Sequence, residues 1–200
     1  MRVNVCEIEY YNLPTYALWA IQFALVFYGL SIIHELLHGF YAIISGGSFT
    51  EISVYKWVLF IPILQIGVVD GNTFLVFEGT LITSWLIAIL LALFTSYQFL
   101  RLFMDSCRAL NLSGKLFGVQ LGSSIKAIGE GVYALPNFTF PEPSGTAKMG
   151  DGTIMYYWFQ QMGYSPDIQY FIAFLMIVGA ICVLTYVLKC HPIFCSRCGL

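Results

Sequence analysis

Hydrophobic residues along this chain of 200 residues are concentrated in three long runs. The first extends from Leu13 to Gly46, the second from Thr80 to Met104, and the third from Ile168 to Leu188. An α-helix needs about 20 mostly apolar residues to cross the hydrocarbon core of a bilayer. Because each run is at least this long, the pattern predicts three membrane-spanning helices.

The segments between the runs predict shorter elements. The stretch VVDGNTFLVF predicts a β-hairpin that turns at Asp70 and Gly71, since Asp-Gly between apolar strands is a strong turn signal. Residues 105–150 are polar and rich in glycine, and the stretch LPNFTFPEPSGTAKMGDG predicts a loop by its proline, glycine and asparagine content. TIMYYWFQQMG at 153–163 predicts a short helix, so three to four transmembrane helices are expected.

The amino-acid composition also predicts an integral membrane protein, and the three long runs predict that it is of the all-α class. Hydrophobic residues make up 58% and charged residues 10%, and the mean hydropathy is +0.78, whereas soluble domains carry roughly a quarter charged residues. No stretch outside the runs could build a second core, so residues 1–200 are predicted to form one membrane-embedded domain with a short cysteine-rich tail at 189–200. The net charge of −2 offers no basic surface for nucleic acid. Which membrane holds the protein is left open.

The first run contains the polar cluster of SIIHELLHGF, and this cluster suggests chemistry. Side chains four residues apart share one face of a helix, so His34 and His38 can converge on one metal ion. Glu35 lies at the edge of that face, where it can reach a water molecule without binding the metal. His-Glu-x-x-His is the motif of zinc hydrolases, in which zinc activates water and the glutamate takes its proton. Ionisable residues inside a membrane are usually functional, and we therefore predict a Zn²⁺ site.

The two histidines have two alternative roles. Intramembrane polar groups can simply hold helices together. A haem site is disfavoured, because two histidines on one helix face cannot occupy the opposite axial positions of one haem.

A catalytic zinc ion usually takes three protein ligands, and four aspartates are available. Asp105 is expected to be solvated, Asp167 to begin a helix, and Asp70 to form a turn. Asp151 precedes Gly152 and an apolar helix, so its carboxylate can enter the membrane at the head of that helix. Asp151 is therefore the predicted third ligand, and turn formation or helix capping is its alternative role.

A second metal site is conceivable in the tail. Cys190, His191, Cys195 and Cys198 form a C-H-x3-C-x2-C pattern that could hold a structural zinc ion. A single C-x2-C without a distant partner pair is a weak signal, and palmitoylated or free thiols fit these residues equally well.

The segments HELLHGF, EGTLITSWLIAILLA and GDGTIMYYWFQQMG together resemble the site-2 protease family of intramembrane zinc metalloproteases. In that family a later helix carries an aspartate-glycine pair whose aspartate is the third zinc ligand. The resemblance, over roughly residues 20–190, implies that His34, His38 and Asp151 bind zinc and that Glu35 is the catalytic base. The implied function is an endopeptidase that cleaves transmembrane segments of membrane-protein substrates.

The chain also departs from the family pattern. FEGTLITS places Glu78, Thr80 and Thr83 where the family has a small-residue motif with an asparagine. The asparagine expected shortly before the aspartate corresponds to Asn137, which stands farther from Asp151 than the pattern requires. These departures motivate the alternative of a non-catalytic structural subunit in a larger membrane assembly.

Overall fold

The computed structural model describes residues 13–58, 61–69, 71–137, 139–141 and 147–191. The α-helices are α1 (Leu13–Ile44), α2 (Thr80–Phe94), α3 (Tyr97–Leu100), α4 (Ser106–Lys115), α5 (Phe117–Tyr133), α6 (Asp151–Gln161) and α7 (Asp167–Cys190). A π-helix at Phe74–Gly79 runs directly into α2. Strand β1 (Ser48–Val58) pairs antiparallel with β2 (Ile61–Val69), and β3 (Thr139–Pro141) pairs antiparallel with β4 (Ala147–Met149).

Three helices of the described chain are long and apolar enough to cross a membrane: Leu13–Ile44, Phe74–Phe94 and Asp167–Cys190. This agrees with an integral membrane protein and with the three predicted runs. Large apolar side chains stay exposed along these helices, among them Leu25, Leu90 and Phe174. Such outward apolar faces suit contact with lipid, which is as apolar as the side chains themselves.

The second span ends earlier than predicted, at Phe94 instead of Met104. The hydroxyls of Thr95 and Ser96 donate hydrogen bonds to the preceding carbonyls of Leu91 and Leu93. Ser96 then adopts an extended conformation (φ −74°, ψ 153°) before the short helix α3. Side chains that compete for backbone groups in this way commonly end helices.

The hairpin predicted at Asp70 and Gly71 is not formed, and the segment after the turn is helical. Asp70 itself lies outside the described residues, and Gly71 has a φ of +113°. The Asn72 side chain then accepts a hydrogen bond from the Leu75 backbone at 3.2 Å, as a helix-initiating residue does. The residues read as the second strand instead form the π-helix that extends the second span.

Residues 105–150 contain two helices that local composition did not predict. The longer one, α5, packs against α1, α2 and α7 in the middle of the fold. A Cβ atom on Gly118 would lie 2.2 Å from the carbonyl oxygen of Trp19 on α1, and one on Gly131 would lie 2.8 Å from Ile177 on α7. Glycines here allow the backbones of apolar helices to approach closely, as is common inside membranes.

The apolar core lies where four helices meet. Leu30 of α1, Ala88 of α2, Ala127 of α5 and Ala180 of α7 are buried together there. Toward the second half of α1 the interior becomes polar, since His34, Glu130 and Asp151 are each at most 4% exposed. A buried polar group is costly unless it finds partners, so this part of the interior is the candidate site.

Candidate metal centre

His34, His38 and Asp151 meet in the interior, and their potential ligand atoms lie within 4.8 Å of one another. The Asp151 Oδ2 atom is 3.3 Å from His34 Nε2 and 3.0 Å from His38 Nε2. The histidines lie one turn apart on α1, and Asp151 is the first residue of α6. The structure thus brings the three predicted ligands together, across more than a hundred residues of sequence.

The other aspartates within the described residues lie elsewhere, in the places predicted for them. Asp105 is exposed and caps α4, because its Oδ1 accepts a hydrogen bond from the Arg108 backbone at 3.0 Å. Asp167 is exposed at the start of α7, beside Ser165. Asp70 lies outside the described residues.

In both histidines Nδ1, the ring nitrogen that does not face Asp151, lies within hydrogen-bond distance of an acceptor oxygen. His38 Nδ1 donates to the Val76 carbonyl oxygen in the π-helix at 2.8 Å. His34 Nδ1 lies 3.1 Å from Ser84 Oγ, and the hydroxyl of Ser84 donates its own hydrogen to the Leu81 carbonyl. Since a carbonyl can only accept, and the Ser84 hydrogen is already engaged, the proton of each neutral ring belongs on Nδ1. Both Nε2 atoms then present lone pairs toward Asp151.

The donor set fits a divalent metal ion. With Nδ1 protonated, the two Nε2 lone pairs and a carboxylate oxygen face one another in a buried space. His34 Nε2 and Asp151 Oδ2 are buried and have no hydrogen-bond partner among the described residues. A cation satisfies all three acceptors at once, and two histidines with one carboxylate form a known catalytic zinc ligand set. His34, His38 and Asp151 can therefore hold a metal ion.

The space around residue 152 admits only a glycine after Asp151. A Cβ atom at Gly152 would lie 2.1 Å from the carbonyl oxygen of Ala134, which follows α5. The first turn of α6 therefore lies directly against the C-terminal end of α5. This contact holds Asp151 at the level of His34 and His38. Beyond this first turn, α6 packs mainly against the π-helix and α7, while Asp151 at its start reaches His34 and His38 of α1.

Gly152→Ala is expected to weaken zinc binding about tenfold or more, because the added methyl group displaces the start of α6 and the Asp151 carboxylate with it. The matched control is Gly129→Ala, where a Cβ atom meets nothing within 4 Å. Competition with a chromogenic chelator measures both affinities. Equal affinities for the two variants would show that the contact with Ala134 does not place Asp151.

Three charged residues near the cluster were not identified from the sequence as parts of the site. Glu130 of α5 has its Oε2 atom 2.9 Å from His34 Nδ1, and Lys126 lies on its other side. The four-residue spacing of Lys126 and Glu130 is the sequence feature that could have predicted their ion pair, because side chains four apart on a helix are neighbours. Glu78, at the start of the second span, is fully buried and interacts with Gln169 and Asp151.

Tyr133 of α5 also belongs to this neighbourhood. Its ring centroid lies 5.6 Å from that of His34. Burial raises the pKa of Tyr133 above its usual range, and the negative charges of Asp151 and Glu35 raise it further. Its hydroxyl is therefore a hydrogen-bond donor at any physiological pH, beside the Asp151 carboxylate.

Glu35 and Asn137 have different places relative to the cluster. Glu35 is half-buried on α1 next to His34, and its charge acts on Tyr133. Asn137 is exposed, has a φ of +67°, and donates a hydrogen bond to the Tyr170 hydroxyl at 3.2 Å. Glu35 is thus close enough to Tyr133 for its charge to act there, and its role as catalytic base stays a prediction, whereas Asn137 lies at the surface, away from the buried histidines.

The possible tail site is only partly within the described residues. Cys195 and Cys198 lie outside them, and Cys190 is a partly buried free thiol. The His191 ring is buried, with its centroid 4.1 Å from the Phe117 ring, and this burial lowers the pKa of His191 to about 4. Within the described part of the tail, His191 therefore packs into the aromatic interior as a neutral ring.

No protein-family model, no curated protein and no solved structure matches the chain. The resemblance to site-2 proteases consequently depends on the motif residues alone.

Proposed function

We propose that the protein is an intramembrane zinc endopeptidase that cleaves transmembrane segments of membrane-protein substrates. The observation that supports this is the convergence of His34, His38 and Asp151, with their ligand atoms within 4.8 Å and all three residues buried. Three protein ligands leave one coordination position open, which is the arrangement of catalytic rather than structural zinc sites.

The residues around the cluster can be given roles in peptide hydrolysis. A zinc ion bound by the three ligands would act as a Lewis acid and activate water near neutral pH. Glu35 accepts the proton of the attacking water and returns it to the leaving amide nitrogen. The Val76 carbonyl keeps His38 in the tautomer that binds metal through Nε2.

A substrate segment would reach this site from the bilayer. The site lies in the interior of a bundle whose long helices are exposed and apolar on their outer faces. A helical substrate has to unwind before a peptide carbonyl can approach a buried metal ion. Strand β2 contacts α1, and the β1–β2 pair offers a strand edge on which unwound substrate can be held by backbone hydrogen bonds.

The alternative proposal is a non-catalytic subunit of a larger membrane complex. The exposed position of Asn137 favours it, because that residue would hold substrate in the protease family. The buried His-His-Asp group argues against it. Three acceptor atoms that face one another in the interior are energetically costly unless they bind a cation, and a non-catalytic subunit has no need of one.

Metal analysis of the purified protein in detergent tests the zinc part of the proposal. We expect one tightly bound zinc ion per chain, and cleavage of a reconstituted transmembrane substrate that 1,10-phenanthroline abolishes and added zinc restores. A variant with Cys190, Cys195 and Cys198 changed to serine shows whether a second ion belongs to the tail. Metal-free protein that is found only in a fixed stoichiometric complex and cleaves nothing would support the structural alternative.

A further inference from the structure

A buried ion pair from α5 lies against the outer side of His34. Glu130 is 1% exposed, and its two carboxylate oxygens have different neighbours. Oε2 lies 2.9 Å from His34 Nδ1, and Oε1 lies 2.5 Å from the Lys126 ammonium nitrogen. The Lys126 side chain is 14% exposed, and its nitrogen sits 5.9 Å from the centre of the Phe27 ring on α1.

The arrangement leaves the carboxylate little freedom. An unpaired buried carboxylate is very costly, so Glu130 needs a cationic or donor partner at each oxygen. Lys126 occupies one oxygen from the same helix, one turn earlier, and the other oxygen is thereby directed to His34. Glu130 contacts the Nδ1 side of the ring, whereas the metal-ligand group faces Nε2.

The two histidines therefore differ in what supports them. His38 is held by a neutral carbonyl, and His34 is held by a carboxylate together with Ser84. A carboxylate on the far nitrogen of a metal-binding imidazole fixes the tautomer and ring orientation and makes the ring a stronger ligand.

We propose that Glu130 is a positioning residue for His34 and that Lys126 holds it in that role, so that the pair sets the affinity of the centre for its metal. This inference rests on the metal-binding part of the proposed function and is independent of proteolysis. A purely structural role, in which the pair only joins α5 to α1, predicts no such effect on the metal.

Two variants separate these roles. Glu130→Gln keeps the shape and an acceptor but removes the charge. The double variant Lys126→Met with Glu130→Gln removes both charges, so that no lysine is left buried without its partner. Asp105→Asn is the matched control, because it removes an exposed carboxylate at the start of α4 and retains a capping residue.

The measurements are zinc affinity by chelator competition and the visible absorption spectrum of the Co²⁺-substituted protein. Both Glu130 variants should bind zinc about 10–100-fold more weakly than the unmodified protein and shift the Co²⁺ bands, while Asp105→Asn changes neither. Affinities of both variants within about twofold of the unmodified protein, with unchanged Co²⁺ spectra, would overturn the proposal. Cleavage plays no part in this measurement, so a failure of the endopeptidase proposal would be recorded separately.

Discussion

Glu35→Gln is expected to leave zinc bound and to reduce cleavage by about 10²–10⁴-fold. Glutamine has the shape of glutamate but cannot take a proton from water. Glu35 is not one of the three converging ligand residues, so its loss leaves the metal-binding group intact. The result would assign to Glu35 the proton transfer that the His-Glu-x-x-His pattern implies.

The measurement is cleavage of a transmembrane substrate in reconstituted membranes, together with the zinc content of the same preparation. Asp167→Asn serves as the control, since it removes an exposed carboxylate at the start of α7. Undiminished cleavage by Glu35→Gln would exclude Glu35 as the base and would remove the main chemical support for the endopeptidase.

Asp151→Ala is expected to lose zinc and, with it, all cleavage, while the protein still inserts into membranes. Asp151 supplies the only carboxylate that reaches the Nε2 atoms of His34 and His38 among the described residues. Loss of a direct ligand should weaken zinc binding by more than the roughly 10–100-fold that the loss of an outer partner costs. The three long apolar helices that anchor the protein are untouched by this change.

Zinc stoichiometry after extensive dialysis measures this effect, and size-exclusion chromatography in detergent shows whether the variant stays folded. His34→Ala and His38→Ala should behave in the same way, since each removes one of the three ligands. One zinc ion retained by Asp151→Ala with unchanged affinity would exclude Asp151 from the centre.

Much of the site could be predicted from the sequence because its signals are local. The hydropathy of 13–46 and 168–188 predicted α1 and α7, since crossing a bilayer requires a continuous apolar run. The four-residue spacing of His34 and His38 placed both rings on one helix face. The cost of a carboxylate in an apolar setting singled out Asp151, and the structure does bring it to the histidines.

The tertiary structure alone decided what surrounds these residues. The glycines and charged residues of α5 gave no local sign of a helix, but in the bundle its glycines let α5 lie against α1 and α7 and carry Glu130 to His34. The Val76 carbonyl reaches His38 only because the segment after Asn72 coils into a π-helix instead of a strand. Close approach of helices and the partners of buried polar groups depend on distant segments, so local periodicity carries little sign of them.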